Sequence, residues 1–366
     1  MQVSLMNIEH RWSQMTNSPN IAIVALTEYG KQTALTLKSR LNEARCTVYT
    51  TAKIADNQVT ALQGKTIEAI RELFQSVDVL ICIMATGIVI RSIAPAVHDK
   101  LADPAVIVMD ERAKNVISLL SGHMGGANQI TQNIATLMDA NPVITTATDV
   151  HDVQALDMIA KSVNGWRDEL RPLLLAFNGY LAGKQTVYFY QEKPWVNDFR
   201  GLSIIQEEDI PNIIQSRAPF IMLTTQSEHA HRENMVVIYP RPYVLGVGAR
   251  KQVDSQVFKA NFELFCEQQK ISPREIGLIA SIDVKKEEQA ILDLAKELDC
   301  DFVTFTKDEL ATVDGKYPQS EFVKKTVGVG SVALASADYA SNAQVISERF
   351  AKDGCTYALA KYTNKR

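Results

Sequence analysis

Cysteine is scarce in this chain: Cys46, Cys82, Cys266, Cys300 and Cys355 are the only five, and no two stand in a CxxC spacing. That excludes a thiolate metal site and a disulfide framework, and it fits a reduced, cytoplasmic protein. Long hydrophobic runs are missing too. The longest, Val79 to Ile90, is broken by Thr86 and Gly87 and is too short to span a bilayer, so no membrane role is expected. The N-terminus carries Glu9, His10 and Arg11 where a signal peptide needs an apolar core. Charge of one sign is also lacking. A net charge of -4 argues against a chain that wraps nucleic acid. Neither GxGxxG nor a Walker A loop occurs, which counts against a nucleotide- or sugar-phosphate-binding α/β enzyme.

What the chain does have is an ordinary globular composition, 46% hydrophobic and 22% charged, over 366 residues. This length implies two or three domains. Residues 1–19 read as a polar extension ending at Asn17-Ser18-Pro19-Asn20. Over 20–165, apolar runs such as IAIVAL, CTVYT and DVLICIM alternate with helical patterns, for example Ala34, Leu37 and Leu41. AVIVMD and NVISLL, separated by Glu111-Arg112-Ala113-Lys114, predict a hairpin. PVITT predicts a strand, followed by one helix through Val153, Leu156, Ile159 and Ala160. A middle region over 166–241 contains short strands (TVYFYQ, LSIIQ, FIMLTT, MVVIYP). From 242 to 366 a strand runs into Gly246 and Gly248, and Ser272-Pro273-Arg274-Glu275 forms a capping box that predicts a helix start. The expected class is α/β: two α/β domains with mainly parallel sheets, joined by a smaller α+β middle region.

Three apolar segments in the first domain end in small-residue turns. They finish at Thr86-Gly87, at Ser121-Gly122-His123-Met124-Gly125-Gly126-Ala127-Asn128, and at Thr145-Thr146-Ala147-Thr148-Asp149. Strand tips of this kind leave N–H groups at a sheet's carboxyl edge, where open α/β sheets bind ligands. One composite pocket is therefore expected from the three turns. His123 is a candidate general acid or base, with Asp110 or Glu111 in reserve. Arg91 and Lys100 are candidate carboxylate binders. Each residue also has a plain structural reading: a tight turn, a helix cap by Asp149, a solvated face or turn for the charges. His229-x-His231 lacks a third ligand and reads as surface loop rather than metal pair. In the last domain, Gly248 and Arg250 at one glycine turn, and Gly328-Val329-Gly330-Ser331 at another, are further places for carboxylates.

The blocks GIVIRSIAPAVHDKLADPAVIVMDE, VISLLSGHMGGAN and PVITTATDV resemble the N-terminal domain of the cobalt-precorrin-5A hydrolase (CbiG) family of anaerobic cobalamin biosynthesis. LGVGARK, IGLIASIDVKKEE and SEFVKKTVGVGSVA look like its C-terminal domain, which is related to a small stand-alone protein of the aerobic pathway. After Val332 this chain has Ala333-Leu334-Ala335 where the family pattern leads one to expect Cys or Glu near a proline, and Gln319 separates Pro318 from Ser320. The resemblance implies a cytoplasmic enzyme that opens the ring A δ-lactone of a cobalt tetrapyrrole and releases acetaldehyde. It implies no cofactor, since cobalt arrives within the substrate. A many-carboxylate substrate would then meet Thr86, Gly87, Arg91, Lys100, Ser121, Gly122, Gly125, Gly126, Asn128, Thr145, Thr146, Asp149, Gly248 and Arg250. A non-catalytic carrier of the same tetrapyrrole is the alternative. Partnership with other cobalamin-pathway enzymes and a homodimer stay open.

Overall fold

A computed structural model describes residues 19–41, 45–99, 102–226 and 230–362, so the polar extension lies, up to Ser18, outside the described residues. The chain divides into two compact units, Met1–Met158 and Ile159–Arg366. In the first, uninterrupted apolar runs make fully buried strands: β1 (Ile21–Ala25), β4 (Val79–Ile83) and β5 (Ala105–Met109). Between them lie α1 (Glu28–Leu41), β2 (Cys46–Thr50), β3 (Thr60–Ala61), α2 (Thr66–Ser76) and α3 (Thr86–Ile93). After β5 come β6 (Asn115–Leu120), α4 (Ala127–Met138) and β7 (Asn141–Val143). The seven strands form one sheet in the order β3-β2-β1-β4-β5-β6-β7. Helices α1 and α4 cover one face, where Ile23, Ile81, Ile107 and Val116 meet Leu37, Ile130 and Ile134. Helices α2 and α3 cover the other, where Val24, Leu80 and Val108 meet Ile70, Phe74, Val89 and Ile93.

Strands β1 to β5 all run parallel. The link from β5 to β6 is too short for a crossover, so the expected hairpin forms and Val108 faces Ile117. Strand β7 then pairs parallel to β6. The last two strands therefore run against the first five. This separates the glycine turns. The tips of β6 and β7 emerge at the edge where β4 and β5 begin, whereas Thr86-Gly87 follows β4 at the opposite edge. A five-residue strand is roughly 17 Å long, so the three turns do not make the single pocket expected of them.

The expected turn at 145–149 leads into a separate short helix, α5 (Ala147–Val150), and the helix expected through Val153 and Ala160 begins only at Leu156, as α6 (Leu156–Ser162). Asp152, at a left-handed φ of 54°, ends the first.

The second unit contains two sheets. In the middle region, α7 (Arg171–Ala182), β8 (Val187–Gln191), β9 (Leu202–Ile204), α8 (Ile210–Ser216), β10 (Phe220–Leu223) and β11 (Met235–Ile238) give the order β11-β10-β8-β9. All three pairings are parallel, so a region expected as α+β is built as a small α/β layer. The last region holds β12 (Tyr243–Ala249), α9 (Ser255–Gln269), β13 (Ile276–Ile282), α10 (Gln289–Leu298) and β14 (Asp301–Phe305). It continues with α11 (Lys307–Asp314), α12 (Glu321–Val327), α13 (Val332–Ser341), β15 (Phe350–Lys352) and β16 (Cys355–Lys361), in the order β14-β13-β12-β16-β15. The capping box at Ser272 is present, but it closes a single 3₁₀ turn ahead of β13 rather than a helix. Its Glu275 is fully buried and accepts from Lys193 Nζ at 2.6 Å and Trp195 Nε1 at 3.3 Å. No described helix is long and apolar enough to cross a membrane.

Candidate active site

After Leu120 the chain must turn sharply before α4 begins at Ala127. Gly126 takes a φ of 83°, which a Cβ would oppose, and Ser121 is itself left-handed at 58°. Packing demands two more glycines: a Cβ on Gly125 would lie 2.5 Å from Ser121 Cβ, and one on Gly122 would lie 2.7 Å from Asn128 Oδ1. The turn closes on itself. The amides of Gly126, Ala127 and Asn128 donate to the carbonyls of His123, Ser121 and Gly122. The Gly126 amide is therefore engaged, which corrects the expectation that it serves an anion. Ser121 Oγ donates to Asp103 O at 3.0 Å and ties the turn to the start of β5.

Asn128, buried at the first turn of α4, links the two tips. Its Oδ1 accepts from Ser118 Oγ at 2.6 Å, and its Nδ2 donates to Thr146 Oγ1 at 3.0 Å and Asp149 Oδ2 at 2.9 Å. Asp149 Oδ2 also lies 3.1 Å from His123 Nε2, and Thr148 Oγ1 lies 3.0 Å from the same nitrogen. On the other side of the ring, Nδ1 lies 3.4 Å from Oδ2 of the buried Asp157. The imidazole is 16% exposed and Asp149 is 40% exposed. Burial opposes charge on His123, but hydrogen bonds to Asp149 and Asp157 outweigh it and push the pKa up to about 9. At neutral pH the ring is thus an imidazolium with both N–H groups donating. It offers a proton or a positive charge, not a lone pair. Of the two carboxylates that flank it, Asp149 is the one accessible to solvent.

The structure gathers His123, Ser121, Gly122, Gly125, Gly126, Asn128, Thr146 and Asp149, with exposed Thr145 at the tip of β7. It puts the other candidates elsewhere. Asp110 ends β5 at the opposite edge and accepts from the amides of Arg112 at 3.0 Å and Asn115 at 2.7 Å. Burial would raise its pKa, yet those amides and that of Lys114 hold it below the usual carboxylate range. It is the ionised cap of the hairpin rather than a reserve base. Glu111 accepts from Thr27 Oγ1 there, and its carbonyl accepts from Thr33 Oγ1. Thr86 and Gly87 open α3 at that same edge, and Arg91 turns back to donate to Gly87 O at 3.1 Å. Lys100 and His229 lie outside the described residues. His231 accepts the Val237 amide at 3.1 Å, a structural bond.

In the second unit, Gly246 and Gly248 are not turn residues. Both lie inside β12, laddered to Ala358 and Thr356. A Cβ on Gly246 would fall 1.9 Å from Ala333 O, and one on Gly248 would fall 2.4 Å from Thr356 Oγ1. Close backbone packing explains both, which corrects Gly248 as an anion contact. Exposed Arg250 follows the strand, its amide bonded to Gly354 O at 2.8 Å.

Asp157 and Ser118 were missed from the sequence. Asp157 had a signal: a carboxylate between Leu156 and Ile159, on a helix whose neighbours at those positions are buried.

The pattern of the family described as cobalamin synthesis G N-terminal matches residues 68–149, and that of cobalamin synthesis G C-terminus matches 243–360. A protein from Salmonella typhimurium named cobalt-precorrin-5A hydrolase is 34% identical over 345 residues, covering 93% of this chain and 97% of that protein. One of the same name from Priestia megaterium is 27% identical, covering 97% and 98%. Among solved structures, a cobalamin biosynthesis protein G homolog from Sulfolobus solfataricus aligns over 97% of this chain and 99% of its own, at 20% identity and a TM-score of 0.42.

Proposed function

The chain belongs to the cobalamin synthesis G family, and from that membership we propose that it hydrolyses cobalt-precorrin-5A, opening the ring A δ-lactone and releasing acetaldehyde. The observation that carries this reading is the 34% identity to a cobalt-precorrin-5A hydrolase across nearly the whole of both chains. The cobalt belongs to the substrate.

The cluster around His123 is suited to the first step. Asp149, pinned by Asn128 and His123 and 40% exposed, takes a proton from water as the oxygen attacks the lactone carbonyl. The acyl C–O bond breaks, and the His123 imidazolium gives its Nε2 proton to the departing ring alkoxide. Asp157, buried against Nδ1, holds the ring in place and keeps it protonated. The roles of base and acid are thus divided between Asp149 and His123. In the second step the freed hydroxyl is deprotonated, its oxygen becomes the aldehyde carbonyl, and the carbon–carbon bond breaks. The electron pair passes into the conjugated macrocycle, which is then protonated on carbon.

Incubating the chain with cobalt-precorrin-5A and trapping aldehyde as a hydrazone tests the reading. One acetaldehyde per substrate is expected. Tight binding without aldehyde would make the protein a carrier instead.

A further inference from the structure

One face of the first sheet is only partly covered where its direction reverses. Helix α4 packs on one side of β6 and β7, burying Val116 with Ile130 and Ile134. On the other side, Ile117 pairs with Val143 in the parallel β6–β7 ladder, so both project from the same face. A register shift between Val106 and Ile107 lets Leu119 and Leu120 join them there. All four are only half-buried. Helix α3 and the turn after it bound this strip: Val89, Ile93 and Ala96 share their core with Ile117, Leu119 and Leu120. Two strands at a spacing of about 4.8 Å make a strip roughly 10 Å across.

The strip is apolar in the middle and polar at both ends. At one end, immediately past Leu120 and Val143, stand the His123 imidazolium, Thr145 and Asp149. At the other stand exposed Asn115 and Asn141, joined by a 3.3 Å side-chain bond, with exposed Lys114 beside them. A flat ring with apolar faces and carboxylates around its rim has this same pattern. We propose that the macrocycle of the substrate lies face-down on Ile117, Leu119, Leu120 and Val143, with its reacting ring at His123 and a carboxylate-bearing edge toward Asn115, Asn141 and Lys114. This rests on the tetrapyrrole reading above and names the surface that selects a flat ring. The surface is continuous with the catalytic cluster, and the Lys114 cation with the Asn115 and Asn141 amides at its far end complements an anionic rim.

The test uses cobyrinic acid, a stable cobalt corrinoid polycarboxylate, for binding by calorimetry, and cobalt-precorrin-5A for turnover, both on the full chain. Val143→Asp places a charge on an edge strand, where folding tolerates it, and sets it against the apolar face of the ring. Binding is expected to weaken about tenfold or more, with KM rising in parallel and kcat within about twofold. Val143→Thr, nearly the same shape, is expected to weaken binding about threefold and covers the case in which the aspartate variant fails to fold. Gln132→Asp, exposed on α4 beyond the opposite face, should change neither. Equal affinity in wild type and both Val143 variants overturns the proposal, as does a wild type that does not bind cobyrinic acid. If binding depends on Val143 but no acetaldehyde forms, the surface stands and the hydrolase reading falls.

Discussion

In the first unit, the turn from Ser121 to Asn128 leads into α4 and holds His123 between two carboxylates, with one of them open to solvent. In the second unit, Gly328-Val329-Gly330-Ser331 leads into α13 in much the same way, yet its Gly330 and Ser331 N–H groups are turned inward. The amides of Gly330 and Ser331 donate to Oδ2 and Oδ1 of Asp314, both at 2.9 Å, and Asp314 is 6% exposed. A Cβ on Gly330 would fall 2.1 Å from the Gln319 side-chain oxygen. The second turn carries its own anion, supplied from the end of α11. Glycines before a helix create a place for negative charge. Whether that place is a site depends on whether the chain fills it.

The sharpest way to break this contrast is to substitute one residue in each turn. His123→Gln keeps two polar positions but removes the acid. Turnover of cobalt-precorrin-5A is expected to fall ~10²–10⁴-fold, with corrinoid binding retained. Asp314→Ala should do the reverse, leaving kcat and KM within about twofold while two buried amides lose their acceptor. A loss of roughly 2–4 kcal/mol in denaturant unfolding is expected. If His123→Gln turns over normally, the first turn is structural after all. If Asp314→Ala loses activity without losing stability, the second turn belongs to the chemistry.

The two turns also mark what the sequence could and could not disclose. The strands β4 and β5 were legible because each is apolar without a break, and the hairpin because the residues between Asp110 and Asn115 cannot form a crossover. The composition of a strand tip does not say at which edge of the sheet it emerges. Ser121 and Thr86 therefore looked like neighbours until the reversal at β6 separated them. Glycine is equally silent about its cause. Gly126 is required by its φ, whereas Gly246 is required by the backbone of α13 pressing on β12. Partner identity is a tertiary fact as well. Asp149 reads from the sequence as a helix cap or a substrate contact, and only the fold brings His123 and Asn128 onto it.

A smaller effect sharpens the first half of the comparison. The folded pKa of His123 is raised to about 9 from the ordinary 6.5. Its charge therefore stabilises the fold fully below pH 6.5, and that contribution is lost as pH climbs through about 9. The amount is at most about 3 kcal/mol. Urea titrations at pH 6 and pH 9.5 should show wild type losing more stability across this window than His123→Gln. The alkaline limb of kcat/KM should fall in the same range, since the acid form is the active one. Equal pH slopes for the two proteins would mean that Asp149 and Asp157 do not hold the proton on the ring.

The smallest effect concerns the opposite edge of the first sheet. Asp110 offered a paired carboxylate to the sequence, but its oxygens accept the Arg112 and Asn115 amides and close the β5–β6 hairpin. Asp110→Ala is expected to cost about 1–2 kcal/mol of stability, the range for a few partly exposed hydrogen bonds to a charged acceptor. Turnover at saturating substrate should stay within about twofold, because the hairpin tip and His123 lie at opposite ends of β6. A variant that folds with normal stability yet loses turnover would return the catalytic carboxylate to this edge.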